Sequence, residues 1–311
     1  IAQIDLYNRQ SKDLLFEKPL SPSTGYSGIN ANIGSLSNRG VDGQITGTPI
    51  RNRNFTWDIT LNFGHYTNKI TKLPQEEILT GSIGQYGNTK KMVEGGSVYD
   101  FYIKEWAGVN PENGKATWFK DVVDENGNIT GRTTTENQTE ATPYFQGSSL
   151  PDFYGGLNNH LSYKNFELSF LFSYSIGGKI FDGDQPMIMH LGYAPGRNWS
   201  REALSRWTPE NRDTDFPRLS YVSDSWNTIP STRFLYSATY ARLKNIDLSY
   251  SLPDKLIARW NVTEARIHLS GENILTLYGH KGLDPEQTVS GSTFYRYPAQ
   301  KLYSVGLHVS F

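Results

Sequence analysis

The sequence predicts an all-β protein, an antiparallel transmembrane β-barrel. Three observations predict it. Apolar and polar residues alternate along segment after segment, the connections between those segments are short and long in turn, and aromatic residues make up 13% of the 311 residues. Alternation with period 2 gives a strand two chemically different faces. Short turns on one side and long loops on the other are the pattern of an outer-membrane barrel. Aromatic side chains favour strands and supply the girdles where lipid meets water.

Ten segments carry the alternation. Weaker versions lie near residues 2–16 and 29–49. Phe55, Trp57, Ile59, Leu61 and Phe63 then alternate with Thr56, Asp58, Thr60 and Asn62. Residues 99–108, 115–120 and 153–163 follow. Phe166, Leu168, Phe170, Phe172, Tyr174 and Ile176 alternate with a set that is polar except for Leu171. Ile246, Leu248, Tyr250 and Leu252 form the next row, then Ala265, Ile267 and Leu269. The chain closes on Tyr303, Val305, Leu307, Val309 and Phe311. The short connections are 50–54, 109–114, 164–165 and 253–262; the long ones are 64–98, 121–152, 177–238 and 277–300, with a medium one at 17–28. In a compact soluble domain, loops of this length would count against the strand assignment. A soluble β-sandwich also alternates, but the loop asymmetry and the size of the apolar side chains favour lipid outside and water inside.

Composition narrows the function. The chain has 30 Lys and Arg against 31 Asp and Glu, which excludes a strongly basic nucleic-acid footprint. No segment approaches the roughly 18 apolar residues of a membrane helix. There is no cysteine, hence no disulfide, Cys-based zinc site or thiol nucleophile. His65, His160, His190, His268, His280 and His308 stand in no metal-binding spacing, and no nucleophile elbow or phosphate loop occurs. Asp182 and Asp184 read as an Asx turn rather than a glycosidase pair. The protein is not expected to be an enzyme. Asp124, Asn126, Asn128 and Thr130 keep part of the spacing of a Ca²⁺ loop, but Ile129 and Thr135 stand where that loop needs Gly and a bidentate Glu. The segment therefore reads as a polar turn, and no cofactor is expected. In the longest loop Ser200 caps a short helix with Glu202 in its first turn. Tyr193, Trp199, Trp207, Tyr221 and Trp226 gather there, as contacts for substrate or partner or as packing between loops.

Several segments resemble the SusC/RagA-type TonB-dependent outer-membrane transporters. They run in order along the chain: Asp5 to Phe16, Asn30 to Ser35, Asn38-Arg39-Gly40-Val41, Leu150-Pro151-Asp152-Phe153-Tyr154-Gly155-Gly156-Leu157, Arg206 to Asn211, Arg242-Leu243-Lys244-Asn245-Ile246, Ser270-Gly271-Glu272-Asn273 and Lys281-Gly282-Leu283-Asp284-Pro285-Glu286. The resemblance implies that residues 1–311 are the carboxy-terminal portion of such a barrel, about the last ten strands of about 22, with long extracellular loops. The amino-terminal extension, the plug and the first strands would lie outside this chain. It further implies an outer-membrane importer of oligosaccharides or peptides in a Gram-negative bacterium, energised through TonB and paired with a SusD-like surface lipoprotein. Asp58, Asn62, His160, Glu167, Asp247, Arg266, His268 and Glu272 are then expected to face the lumen. Their mixed signs suit a polar, uncharged or zwitterionic solute. Tyr303, Val305, Leu307, Val309 and Phe311 would be the strand that barrel-assembly machinery reads. The alternative is a self-contained outer-membrane barrel acting as a passive pore or an adhesion scaffold.

Overall fold

A computed structural model of the chain describes residues 1–19, 22–25, 28–83, 86–192, 196–220, 230–280, 282–286 and 289–311. Its principal element is one antiparallel sheet of eight strands in sequence order. They are β1 (Ala2–Pro19), β2 (Gly28–Arg51), β3 (Phe55–Lys72), β4 (Phe153–Tyr163), β5 (Phe166–Ile176), β6 (Tyr240–Ser251), β7 (Glu264–Tyr278) and β8 (Leu302–Ser310). β1 and β8 lie at opposite edges, so the sheet is an open wall. Among the described residues no helix is long and apolar enough to cross a membrane.

The wall has eight strands where the sequence suggests ten. Residues 99–108 and 115–120 alternate as expected, but they form short strands, Asp100–Lys104, Trp106–Val109 and Ala116–Val123, inside the excursion between β3 and β4. A water-soluble amphipathic strand has the same period as a lipid-facing one; length tells them apart. The wall strands run to 9 residues or more, which matches the roughly 9–11 residues a bilayer requires. The turn at 109–114 therefore belongs to the excursion and not to the short-turn side of the wall.

The asymmetry of the connections survives this correction. Residues 52–54, 164–165 and 252–263 join strands on one side; 73–152, 177–239 and 279–301, with 20–27, join them on the other. The short turns have local causes. Asn52 Oδ1 accepts from the amides of Asn54 and Phe55 at 3.1 and 2.9 Å, closing the first turn. Lys164 takes φ 54°, as a two-residue hairpin requires. Neighbouring turns are tied together, Asn165 Nδ2 donating to the Ser251 carbonyl at 2.9 Å.

Register sorts the side chains into rows. One face carries Trp57, Leu161, Leu168, Leu248, Leu269 and Val305 abreast, and a second row of Phe55, Tyr163, Phe166, Tyr250, Ile267 and Leu307. Val305 is 79% exposed and Leu307 67%, so none of the described residues covers this face. A hydrocarbon surface of this extent belongs in lipid. In the adjoining row of the same face, Ile59, Asn159, Phe170, Ile246, Gly271 and Tyr303, Asn159 is the polar exception. It is buried, and its Oδ1 accepts from the Trp57 indole N–H at 3.0 Å.

Rings laid over glycines knit the strands together. Tyr7 is paired with Gly40, Phe63 with Gly43, Tyr154 with Gly64, Tyr174 with Gly155 and His268 with Gly306. In each pair the ring occupies the space where a Cβ on the glycine would stand, closer than 3.0 Å. The ring gains contact area across the strand and the glycine loses its exposed backbone.

The hydrophobic core lies in the loops rather than the wall. Phe101 and Trp118 from the first long excursion pack with Phe181, Met189 and Phe234 from the second, and Phe294 from the third leans against them. Strand Lys179–Asp182 pairs antiparallel with Leu235–Ser237 and parallel with Ser292–Thr293, joining two excursions by main-chain bonds.

A Cβ at Gly155 would collide with the Asn62 carbonyl oxygen, whereas one at Gly47 would meet nothing within 4 Å. Calorimetric melting of the intact barrel is expected to show Gly155→Ala destabilised by about 1–3 kcal/mol, with Gly47→Ala within about 0.5 kcal/mol of the parent.

Candidate functional site: the polar face of the wall and the loop layer above it

The face opposite the apolar rows is polar at almost every position. Asp58, His160, Ser169, Asp247, Ser270 and Ser304 stand abreast across six strands. The next row is Thr56, Ser162, Glu167, Ser249, His268 and Gly306. Thr46, Thr60, Asn158, Leu171, Asn245, Glu272 and Leu302 form a third, with Leu171 and Leu302 its apolar members. Gln3, Gln44 and Asn62 begin a fourth, beside Asp5, Asp42, Gly64 and Tyr154. The structure thus brings Asp58, Asn62, His160, Glu167, Asp247, Arg266, His268 and Glu272 onto one face. Arg266 pairs there with Glu167 at 3.3 Å and Glu264 at 3.5 Å. The His268 ring lies against Gly306 and so packs along the wall.

Between β1 and β4 this face has a depression of about 320 Å³. Gln3, Asp5, Asp42, Gln44, Asn62 and Tyr154 line it, and the missing side chain of Gly64 helps to open it. Gln3 Nε2 donates to Asp5 at 3.1 Å, and the Tyr154 hydroxyl to Asp42 at 3.3 Å. Carboxylates, amides and a phenol offer hydrogen bonds of both senses to a polar solute.

The loop aromatics have mixed roles. Trp207 Nε1 donates to the Pro111 carbonyl at 3.1 Å and its indole fills the space above Gly114, so this residue braces one loop on another. Trp199 is 43% exposed, edge-on to His190 with centroids 5.5 Å apart. Tyr193, Tyr221 and Trp226 lie outside the described residues. Ser200 Oγ accepts from Glu202 N at 3.3 Å and starts a 3-10 turn, Arg201–Ser205. Asp182 Oδ1 accepts from the amides of Asp184 and Gln185, both at 3.0 Å, the expected Asx turn. Asp124 receives the amides of Asn126 and Asn128 at 2.9 and 2.8 Å and the Asn128 side chain at 3.2 Å. These donors hold its carboxyl below the usual range. Tyr303, Val305 and Leu307 share the exposed apolar face of β8, with Val309 following in register. Phe311 follows the strand's end.

Sequence reading missed a buried ion-pair cluster at the rim. Arg242 is 4% exposed. Its guanidinium holds Asp284 with one nitrogen and Glu286 at 2.6 Å with another, and Nε donates to Thr276 at 3.0 Å. Lys244 reaches the same Glu286 at 3.0 Å. The cluster fastens the 279–301 loop to the top of β6. Burial alone would raise Asp284. The Arg242 guanidinium and the amides of Ala299 and Glu286 outweigh it and keep this carboxyl below the usual range. One bulge, where Lys244 of β6 stands opposite Asn273 (φ 52°) and Ile274 of β7, creates the corner. The sequence shows the parts, Arg242 and Lys244 in one segment and Asp284 and Glu286 in another, but not their pairing.

Two more joints hold the loop layer. His280 Nε2 meets Asp182 at 3.1 Å while its ring stacks flat on Tyr236, centroids 3.4 Å apart. Burial pushes the Tyr236 hydroxyl up to about 12. Lys90 is buried, its Nζ donating to Ser149 Oγ at 2.9 Å and the Tyr99 carbonyl at 3.2 Å above the Phe101 ring. Burial, partly opposed by Asp100, lowers this amine to about 8.

Comparison with known proteins gives a consistent answer. The chain is 31% identical over 335 residues to the TonB-dependent receptor P3 of Formosa agariphila, covering 99% of this chain and 32% of that protein. It is 28% identical over 324 residues to the TonB-dependent receptor SusC of Bacteroides thetaiotaomicron, covering 99% and 30%. Among solved structures, the RagAB peptide transporter superposes with a TM-score of 0.82 at 29% identity, over 100% of this chain and 33% of that one. The chain spans about a third of the length of the curated relatives it matches. No family model matches.

Two measurements check the loop joints. Arg242→Met takes the guanidinium away from both Asp284 and Glu286 and breaks a buried pair, at a cost of about 3–5 kcal/mol; hydrogen exchange in residues 282–286 is expected to accelerate while the wall stays protected. The unfolded state of Lys90 holds its proton up to about pH 10.4, the folded state only to about 8. Loop-layer stability is therefore expected to rise with pH between those values. A pH series of thermal melts should show the rise, and Lys90→Met should remove it.

Proposed function

Since this chain is related over its whole length to the SusC/RagA-type TonB-dependent receptors, outer-membrane proteins of Gram-negative bacteria, we propose that it is the carboxy-terminal part of such a receptor's barrel, working in nutrient import. The observation that carries this reading is the two-faced wall. Its apolar rows meet lipid, its polar rows line the lumen, and the three long excursions form a layer over the extracellular mouth. The lumen residues are Asp58, Asn62, His160, Glu167, Asp247, Arg266, His268 and Glu272, with the depression at Asp42 and Tyr154 a polar resting place on the path. The solute is an oligosaccharide or a peptide, guided by hydrogen bonds rather than by a single-sign field.

The edges of the sheet support a longer parent chain. An unpaired strand edge in hydrocarbon leaves amides unsatisfied at several kcal/mol each, so β1 and β8 need further strands on either side. This weighs against the self-contained pore or adhesion scaffold. In the fuller assembly, TonB acts through amino-terminal parts outside this chain, and a SusD-like lipoprotein covers the mouth.

Mild-detergent extraction of the native outer membrane, with mass spectrometry of everything that co-purifies, tests the proposal. A parent chain about three times this length, accompanied by a surface lipoprotein, is expected. A free chain of 311 residues without a lipoprotein would overturn it.

A further inference from the structure

The excursion between β3 and β4 carries a small sheet in which Ala116–Val123 pairs with Trp106–Val109 on one side and Ile129–Thr135 on the other. Ile129–Thr135 is an edge, and every residue from Ile129 to Thr134 is exposed. The main-chain bonds show which way its amides point. Phe119 N donates to the Glu105 carbonyl at 3.0 Å, Thr142 N donates to the Phe119 carbonyl at 3.2 Å, and Asp121 N donates to Thr142 Oγ1 at 3.0 Å. Phe119 and Asp121 thus turn away from the edge strand, and Trp118, Lys120 and Val122 turn toward it. Their register partners Thr135, Thr133 and Gly131 complete that ladder. In an antiparallel pair the intervening residues face the other way. The N–H and C=O of Arg132 and Thr134 therefore point outward, and among the described residues no main-chain group meets them.

Exposed edges are ordinarily blunted by lysine, proline or a bulge in the outer face. Here the edge strand's one bulge, at Thr130, lies near its start, and the outward residues beyond it are small or folded back. The Arg132 guanidinium lies over the rings of Phe119 and Tyr144 at 4.6 and 4.3 Å and is held by Glu105 at 2.8 Å, so it does not guard the edge. The tip of the hairpin is apolar, with Val122 41%, Val123 57% and Ile129 66% exposed.

The charge balance completes the surface. Lys115, Lys120 and Arg132 are the bases between residues 106 and 135, and each is paired with an acid outside that stretch: Glu136, Glu140 and Glu105. Glu112, Asp121, Asp124 and Glu125 have no cationic partner among the described residues. The hairpin presents an open ladder, an apolar tip and uncompensated negative charge.

We propose that Ile129–Thr135 is a strand-addition site for an extended, basic segment of a cell-surface partner protein. The incoming backbone pairs with Arg132 and Thr134, as in β-augmentation. An apolar side chain of the partner rests on Val122, Val123 and Ile129, and its cations face the four acids that have no cationic partner. The site deepens the importer reading and rests on that reading's lidding lipoprotein.

The test uses the full-length protein from native membranes. Thr134→Pro removes one outward N–H and leaves the hairpin's own ladder intact, while Thr134→Val keeps it. Thr134→Pro is expected to lower the co-purified lipoprotein about tenfold, with Thr134→Val at the parent level and the retained fraction falling as NaCl is raised. Hydrogen exchange over residues 129–135 of the unmodified protein supplies a second reading. Two further slow amides are expected in the complex and not in the barrel alone. Full retention by Thr134→Pro, or those two amides already slow in the barrel alone, would overturn the site. A parent barrel that brings down no lipoprotein would overturn the importer reading and the site with it.

Discussion

A strand in hydrocarbon has no water to satisfy its amides, and the continuous strand-to-strand pairing from β1 to β8 is the condition on which the rest of this molecule depends. Once a strand's main-chain groups are committed to its neighbours, side chains have only two directions left. One meets lipid and the other water, so period 2 becomes a chemical code. The rows through Leu168 and through Glu167 differ by a single residue along each strand, and a one-residue slip would exchange lipid for lumen along its whole length. The aromatic–glycine pairs hold that register. Tyr154 over Gly64 and Tyr174 over Gly155 fit only where ring and missing Cβ stand opposite each other.

The wall supplies little buried core beyond Ile70 at the end of β3, which packs with Leu73 and Met92, since its other apolar side chains mostly meet lipid rather than one another. The conventional hydrophobic core sits in the loop layer, with Phe101, Phe181 and Phe234 fully buried. That layer is tied by polar chemistry: Arg242 with Asp284 and Glu286 fastens it to the wall at the rim, and His280 with Asp182 joins two of its loops. Such pairs specify position strictly, because either charge alone in a buried site is costly. The architecture separates two demands. The wall is fixed by main-chain pairing, and the mouth is a folded unit whose geometry depends on a few charged contacts.

Much of this was legible in the sequence. The alternation in β3, β5 and β8 is direct, and with one side of the sheet in lipid the two faces could be assigned from residue type alone. Asp58, His160, Glu167 and Asp247 fall on the polar face because period 2 leaves no other placement. The strand count was not legible, since Phe101-Tyr102-Ile103 alternates as a wall strand does; only its short length and its burial against Phe181 mark it as loop core. The Arg242 cluster was hidden for a different reason. It joins residues more than 40 positions apart, and no local pattern encodes which carboxylate a given arginine will meet.

The central claim is that one face of β5 touches lipid and the other water. The chain has no cysteine, so single cysteines introduced along Phe166–Ile176 report their own surroundings. In intact outer membranes a membrane-impermeant maleimide should label Glu167→Cys, Ser169→Cys and Ser173→Cys, while Leu168→Cys, Phe170→Cys and Phe172→Cys stay unlabelled until detergent is added. Equal labelling of both sets, or the reverse pattern, would contradict the account.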